Sequence, residues 1–206
     1  MKIIASALIM LVFLSVITGV SLKMYAQQSQ VSPVSINLQF IVGQKTSEVS
    51  INIKVIGEPM ISSVKSLLGG PEVAENLLSD KLNIPRKFVR ISYEDKEINI
   101  SLKSVGSPPP NDGIDFIVQE EVSAPIAALL EKLGLSGVPI NLSIAIMLPK
   151  GAEIRELKIS LEKAFDTQVD GTAVIISSKS PLILGKTTLS LYLRYSIPGS
   201  KRVPGE

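Results

Sequence analysis

The chain of 206 residues has 21 Lys and Arg against 19 Asp and Glu, and it contains no cysteine, histidine or tryptophan. Disulfides, thiolate metal sites and imidazole bases are therefore excluded, and with them many classes of hydrolase and oxidoreductase. Lys2 and Lys23 lie in the first thirty residues, so the remainder carries 19 charges of each sign. Nucleic-acid binding needs clustered basic residues, and we expect no nucleic-acid partner.

The chain opens with an apolar run, residues 3–20, interrupted only by serine, threonine and glycine. As a helix this run would be about 27 Å long, close to the roughly 30 Å of a hydrocarbon core. It predicts a segment 1–26 that is either a retained transmembrane anchor or a secretory leader cleaved near Ala26. A polar spacer, residues 27–33, would follow in both cases.

Both interpretations predict the same topology. Lys2 and the terminal amine precede the apolar run, and only Lys23 follows it closely. The bias of positive charge toward the cytoplasm then keeps the N-terminus inside and the rest of the chain outside. We therefore expect the protein to be membrane-bound through residues 3–20 or secreted after cleavage, with residues 34–206 outside the cytoplasm.

Alternating apolar and polar residues predict strands in the first half of the body. Residues 34–42 and 49–55 alternate around a short polar turn, and residues 89–93 and 98–102 repeat the arrangement. A period of two is typical of a strand with one buried face. We expect two antiparallel hairpins here.

Three short amphipathic helices are predicted between and after these hairpins. Residues 60–68 carry one apolar stripe that ends at a glycine pair, and residues 71–82 begin with a proline suited to the first helical turn. The third helix would be capped by Ser123 and end at Gly134. Helices this short need to pack against a sheet to be stable.

The segment 104–113, SVGSPPPNDG, is the strongest interruption in the chain. Three consecutive prolines exclude a helix interior or a central strand, and Asn-Asp-Gly is typical of a turn. The segment predicts either a long crossing loop or a boundary between two subdomains of the domain 34–206.

Further strands are predicted after this segment, at residues 114–119, 140–146, 157–161, 172–177 and 188–196. The strict alternation favours antiparallel pairing over a parallel sheet buried on both faces. The predicted fold is α+β, with mostly antiparallel β-hairpins resembling a helix-decorated β-sandwich, three short amphipathic helices and a preceding hydrophobic N-terminal helix.

Two Ser-x-x-Lys pairs have the spacing used by serine/lysine acyl-transfer enzymes, Ser62 with Lys65 and Ser160 with Lys163. The spacing is common by chance in a chain this rich in serine and lysine, and the companion motifs are missing. We assign no catalytic residue to either pair.

An acidic patch of Asp112, Asp115, Glu120 and Glu121 follows the prolines. Paired carboxylates perform glycosidase chemistry or bind calcium when they converge. The simpler interpretation is a polar turn with solvated charges, so we predict no catalytic, cofactor or metal site. A carboxylate-dependent hydrolase is the alternative.

Asn99 and Asn141 begin the two Asn-x-Ser sequons of the chain. By alternation both asparagines lie opposite the apolar faces of their strands, so we expect both to point outward, where glycans attach. Their occupancy stays open.

Residues 34–42 could also add to the sheet of a neighbouring subunit, because they follow a flexible polar arm. An ordinary first strand is the favoured interpretation, since residues 49–55 already offer a partner. The expected function is a non-enzymatic structural or interaction role at the cell surface, in envelope structure, adhesion or assembly. The alternatives are the hydrolase and a soluble binding module released after leader cleavage.

Overall fold

A computed structural model describes residues 33–43, 45–110, 115–184 and 188–198 of the chain. All of them belong to one compact unit, Pro33–Glu206. The predictions made for residues 1–32 and for Asp112 lie outside the described residues.

The described residues form ten strands, three α-helices and two single turns of 3₁₀-helix, which confirms a strand-rich α+β fold. The strands are β1 (Val34–Val42), β2 (Ser47–Ile56), β3 (Val89–Tyr93), β4 (Glu97–Gly106), β5 (Phe116–Glu121), β6 (Ile140–Met147), β7 (Glu153–Ile159), β8 (Phe165–Asp170), β9 (Ala173–Ser178) and β10 (Ser190–Ser196). The helices are α1 (Glu58–Leu68), α2 (Pro71–Leu82) and α3 (Ser123–Lys132), and the 3₁₀ turns are Arg86–Phe88 and Glu162–Ala164.

The strands form two sheets. Seven strands lie in the order β3-β4-β2-β1-β6-β9-β8, and three lie in the order β5-β10-β7. All neighbours pair antiparallel except β1 and β6, which run parallel. The prediction of mostly antiparallel hairpins is therefore confirmed, with one parallel pair at the centre of the larger sheet.

One face of the seven-stranded sheet is buried. Ile36, Ile53 and Ile100 stand opposite one another on β1, β2 and β4, and each is at most 1 % exposed. These residues share one core with apolar residues of the helices and of the smaller sheet. We call the buried face of the seven-stranded sheet the inner face, and we call the opposite face of this sheet the open face.

The helices contribute to this core through one side each. In α1 the buried residues are Met60, Ile61, Val64 and Leu68, the stripe expected from a helical period. The loop after α3 passes close to α1, because a Cβ added at Gly134 would lie 3.3 Å from Leu67. Gly134 also has φ +70°, a conformation that favours glycine.

Several predicted details differ from the structure. Ser123 is the first helical residue, and the N-cap position is occupied by Val122. The Oγ of Ser123 accepts a hydrogen bond from the amide of Leu189 at 3.0 Å. β4 continues to Gly106, so the proline segment begins as strand and leads from the larger sheet to the smaller one. The edge strand β8 was not predicted at all. A division into two subdomains at 104–113 stays a prediction.

None of the helices in the described part of the chain has the length and apolar composition that a membrane crossing requires.

Candidate functional site

The centre of the open face carries small, uncharged polar side chains. Its central row crosses five strands and stands in register from β4 to β9: Ser101, Asn52, Asn37, Ser143 and Ser177. All five side chains are exposed or half-buried. This row is therefore a continuous, hydrated array of hydroxyl and amide groups.

Both sequon asparagines lie on this open face, in a single cross-strand row. Asn99 of β4 pairs with Lys54 of β2, which pairs with Ser35 of β1, which pairs with Asn141 of β6. At about 4.8 Å between neighbouring strands, the two asparagines are roughly 14 Å apart. Both are half-buried, and Asn99 donates a hydrogen bond of 2.9 Å to Glu97.

Two ion pairs connect β2 with β4 on the open face. Lys54 contacts Glu97, and the hydrogen bond from Lys54 lowers the pKa of that carboxyl group, with the Asn99 amide adding to the effect. At the other end Lys103 lies 3.0 Å from Glu48 and lowers its pKa in the same way. Both carboxylates stay ionised at neutral pH.

One end of the open face is apolar. Ile41 on β1 and Met147 on β6 stand side by side, and Ile175 on β9 lies diagonally from Met147. Their exposed fractions are 42 %, 40 % and 38 %. We call these three residues the apolar end, because contiguous exposed aliphatic side chains are uncommon on a hydrated sheet face.

A cleft of about 490 Å³ lies between the two sheets at the end where β1 stops. Its floor is formed by inner-face residues Phe40, Val42 and Val49, and its far wall by β5 and by the three prolines, residues 108–110. We call it the proline cleft. Sequence reasoning missed it, because its walls come from segments far apart in the chain.

The acidic residues predicted as a patch do not converge. Asp115 is 6 % exposed, and its Oδ2 lies 2.7 Å from Nε of Arg194 on β10. Glu120 lines the proline cleft, whereas Glu121, the next residue along β5, accepts a hydrogen bond from Ser123. Glu48, also at the cleft, has a lowered pKa, the opposite of what a general acid requires.

Neither Ser-x-x-Lys pair forms a nucleophilic site. The hydroxyl of Ser62 donates to Glu58 at 3.3 Å, and the ammonium of Lys65 lies 5.6 Å from the centre of the Tyr93 ring. Ser160 donates to the carbonyl of Thr188 at 3.0 Å and accepts from the amide of Ser190 at 2.7 Å. Its hydroxyl therefore ties the end of β7 to the start of β10.

Both edges of β1 are occupied within the chain. β2 pairs along its whole length on one side and β6 pairs from Val34 to Ile41 on the other. This is the ordinary pairing that the sequence favours over donor-strand exchange. A partner could still contact β1 through its outward side chains.

Among the described residues, no three acidic side chains come together as a protein metal site would require. Comparison of the chain with known protein families and with curated proteins finds no match.

Proposed function

We propose that the protein works outside the cytoplasm as a non-enzymatic interaction protein, tethered through residues 3–20 or released after cleavage near Ala26. In this proposal the two sheets and three helices form a helix-decorated sandwich behind an N-terminal hydrophobic helix. The apolar end of the open face carries the proposal, because it offers a partner an aliphatic contact beside hydrogen-bonding groups. Such mixed surfaces are typical of protein interfaces.

The position of the sequons is compatible with an extracytoplasmic body. Asn99 and Asn141 share one row of the open face, on the side away from the apolar end. Ile41 lies six positions after Ser35 of that row, which is about 20 Å of strand. Glycans at one end of the face would leave the other end free for a partner.

The N-terminus of the native protein tests the location. It should be determined in the membrane and medium fractions of cells that produce the full chain. A start at Gln27 in the medium gives the released form, and intact residues 3–20 in the membrane give the tethered form. Folded full-length protein found in the cytosol would overturn the proposal.

The role of the apolar end is tested by photo-crosslinking on intact cells. A photoreactive side chain replaces Met147 in one variant and Val73 in a control, since Val73 is exposed on α2, outside the open face. We expect a covalent product only from position 147, and its mass shows whether the partner is a second copy or another protein. Equal labelling from both positions, or none from position 147, argues against an interaction role for this surface.

A loss of hydrolytic activity on changing Asp112 and Asp115 would favour the hydrolase instead.

A further inference from the structure

The proline cleft has the size and composition of a small-molecule site. Its volume of about 490 Å³ falls within the roughly 300–1,000 Å³ of typical ligand pockets. Aliphatic and aromatic side chains supply the floor and much of the far wall, including Phe40, Val49 and Ile117. An apolar ligand body would be removed from water there.

The wall of the cleft is held in place by contacts that do not depend on a ligand. The amide of Ile117 donates a hydrogen bond of 2.9 Å to the carbonyl of Pro110, which joins the proline segment to β5. β5 pairs with β10 along its length, and its first residue, Phe116, stacks on Tyr195 with ring centres 5.2 Å apart. A largely pre-formed site loses little entropy on binding.

One buried polar atom in the cleft lining has no partner among the described residues. The hydroxyl oxygen of Ser47 is buried, and no described group is within hydrogen-bonding reach of it. Buried polar groups are nearly always hydrogen-bonded, and an exception calls for a reason. Because this oxygen has almost no accessible surface, a group in the cleft could bond to it only after the Ser47 side chain changed its rotamer.

The charges at the cleft decide which ligands fit. Its described lining contains no lysine or arginine but includes Glu48 and Glu120. Lys103, 3.0 Å from Glu48, neutralises that carboxylate, whereas Glu120 has no ion-pair partner among the described residues. Glu120 is thus the one carboxylate of the described lining that has no such partner, and its charge favours a cation over an anion.

We propose that the proline cleft binds a small lipophilic amine, with its apolar body between Val49 and Ile117 and its ammonium group near Glu120. The proposal does not rest on where the protein works, so it stands or falls separately from the extracytoplasmic role.

The test compares 4-phenylbutylamine with 4-phenylbutanoate, two water-soluble probes that differ in the sign of their charge. The full-length protein is titrated with each probe by calorimetry in a solution that keeps it monomeric and folded, with the same solution without protein as the blank. We expect saturable binding of the amine, about fivefold to tenfold tighter than that of the carboxylate. Equal affinities, or no saturable binding of the amine, would overturn the proposal.

Variants locate the binding. Val49→Phe fills the floor of the cleft, and Ser104→Phe adds a ring at its exposed rim. Both should lower the amine affinity at least about tenfold, because the apolar space is lost. The matched control Val73→Phe, on the exposed side of α2, should bind as the parent does. Ser104→Phe keeps the test valid if Val49→Phe does not fold, and unchanged binding by a folded Ser104→Phe protein would rule out the cleft.

Two further variants test the recognition itself. Glu120→Gln should reduce the preference for amine over carboxylate about threefold, as expected for one exposed charge. Its control is Glu72→Gln in the first turn of α2, which should leave the preference unchanged. Ser47→Ala should leave amine binding unchanged, because the buried hydroxyl is out of reach of a ligand in the cleft. A Glu120→Gln protein with the full preference would contradict the proposed orientation.

Discussion

The two faces of the seven-stranded sheet are built from the same strands and differ at every second residue. On the inner face, neighbouring strands place Val, Ile and Leu against one another and bury them almost completely. On the open face the same strands place Asn, Ser and Gln side by side in water. From this difference we expect two tasks: substitutions on the inner face should act mainly on stability, and those on the open face mainly on what the sheet contacts.

The apolar end is the exception on the open face. Ile41, Met147 and Ile175 follow the alternation of their strands but are not polar. Because they are about 40 % exposed, these side chains contribute less to the core than the residues of the inner face. The predictions below test the separation of tasks, from the largest expected effect to the smallest.

Adjacent residues of β2 give the sharpest comparison. Ile53 is 1 % exposed on the inner face, whereas Asn52 is exposed on the open face. Ile53→Ala should lower the free energy of unfolding by about 3 kcal/mol, because it leaves a cavity in the core. Asn52→Ala should change it by less than about 0.5 kcal/mol. Urea denaturation followed by circular dichroism measures both free energies of unfolding. Similar losses in the two variants would show that open-face residues also stabilise the fold.

The ion pair between Asp115 and Arg194 gives the next effect. Their side chains are 9 % and 37 % exposed, so Asp115→Asn leaves a partly buried guanidinium without its countercharge. The expected loss of unfolding free energy is about 1–2 kcal/mol, reduced by the access of water to the arginine. The control Glu153→Gln removes an ion pair with Arg155 that is more than half exposed on both sides. It should cost at most about 0.5 kcal/mol, and an equal loss in the two variants would count against a structural role for Asp115.

Tyr195 provides a test in alkaline solution. Its side chain is fully buried, and burial raises its pKa from the ordinary 10.0 to about 12. In the unfolded chain this tyrosine ionises first, so stability should fall as the pH rises from 10 to 12. Tyr195→Phe should reduce the decrease in unfolding free energy between pH 10 and pH 12. Below pH 10 the pH dependence of its stability should match that of the parent protein. An identical alkaline profile in both proteins would show that Tyr195 ionises in the folded state as easily as in water.

The smallest expected effect on stability belongs to the apolar end. Ile41→Asn should change the unfolding free energy by less than about 0.5 kcal/mol, because the side chain is 42 % exposed. The same substitution should abolish the crosslink from position 147. A large loss of stability would assign Ile41 to the core and remove the argument for a contact surface.

Local patterns predicted much of the fold. The alternation of Val34–Val42 identified both its strand character and the residues that are buried. The stripes in α1 and α2 were readable in part, since a helix on a sheet must be apolar on one side. Leu67 and Val73, which the sequence assigned to these stripes, are exposed. β8 was missed because only Phe165 among its six residues is buried, as befits an edge strand.

The candidate sites were less predictable, because they depend on which strands become neighbours. Asp115 belongs to an acidic patch in sequence, but a partner from β10 converts it to an ion pair. The proline cleft requires residues near Val49 to face residues near Ile117. No local pattern in the sequence indicates that these two segments lie close together.

The parallel contact between β1 and β6 has a consequence for synthesis. Val34 stands opposite Ile140. One side of β1 therefore stays unpaired until β6, about a hundred residues later in the chain, has been synthesised. Closing so long a loop is slow, and until then a hydrophobic strand is open along one side to any other extended chain. A chain that emerges N-terminus first would be at its most vulnerable to aggregation in that interval, and a chaperone that covers β1 would protect it.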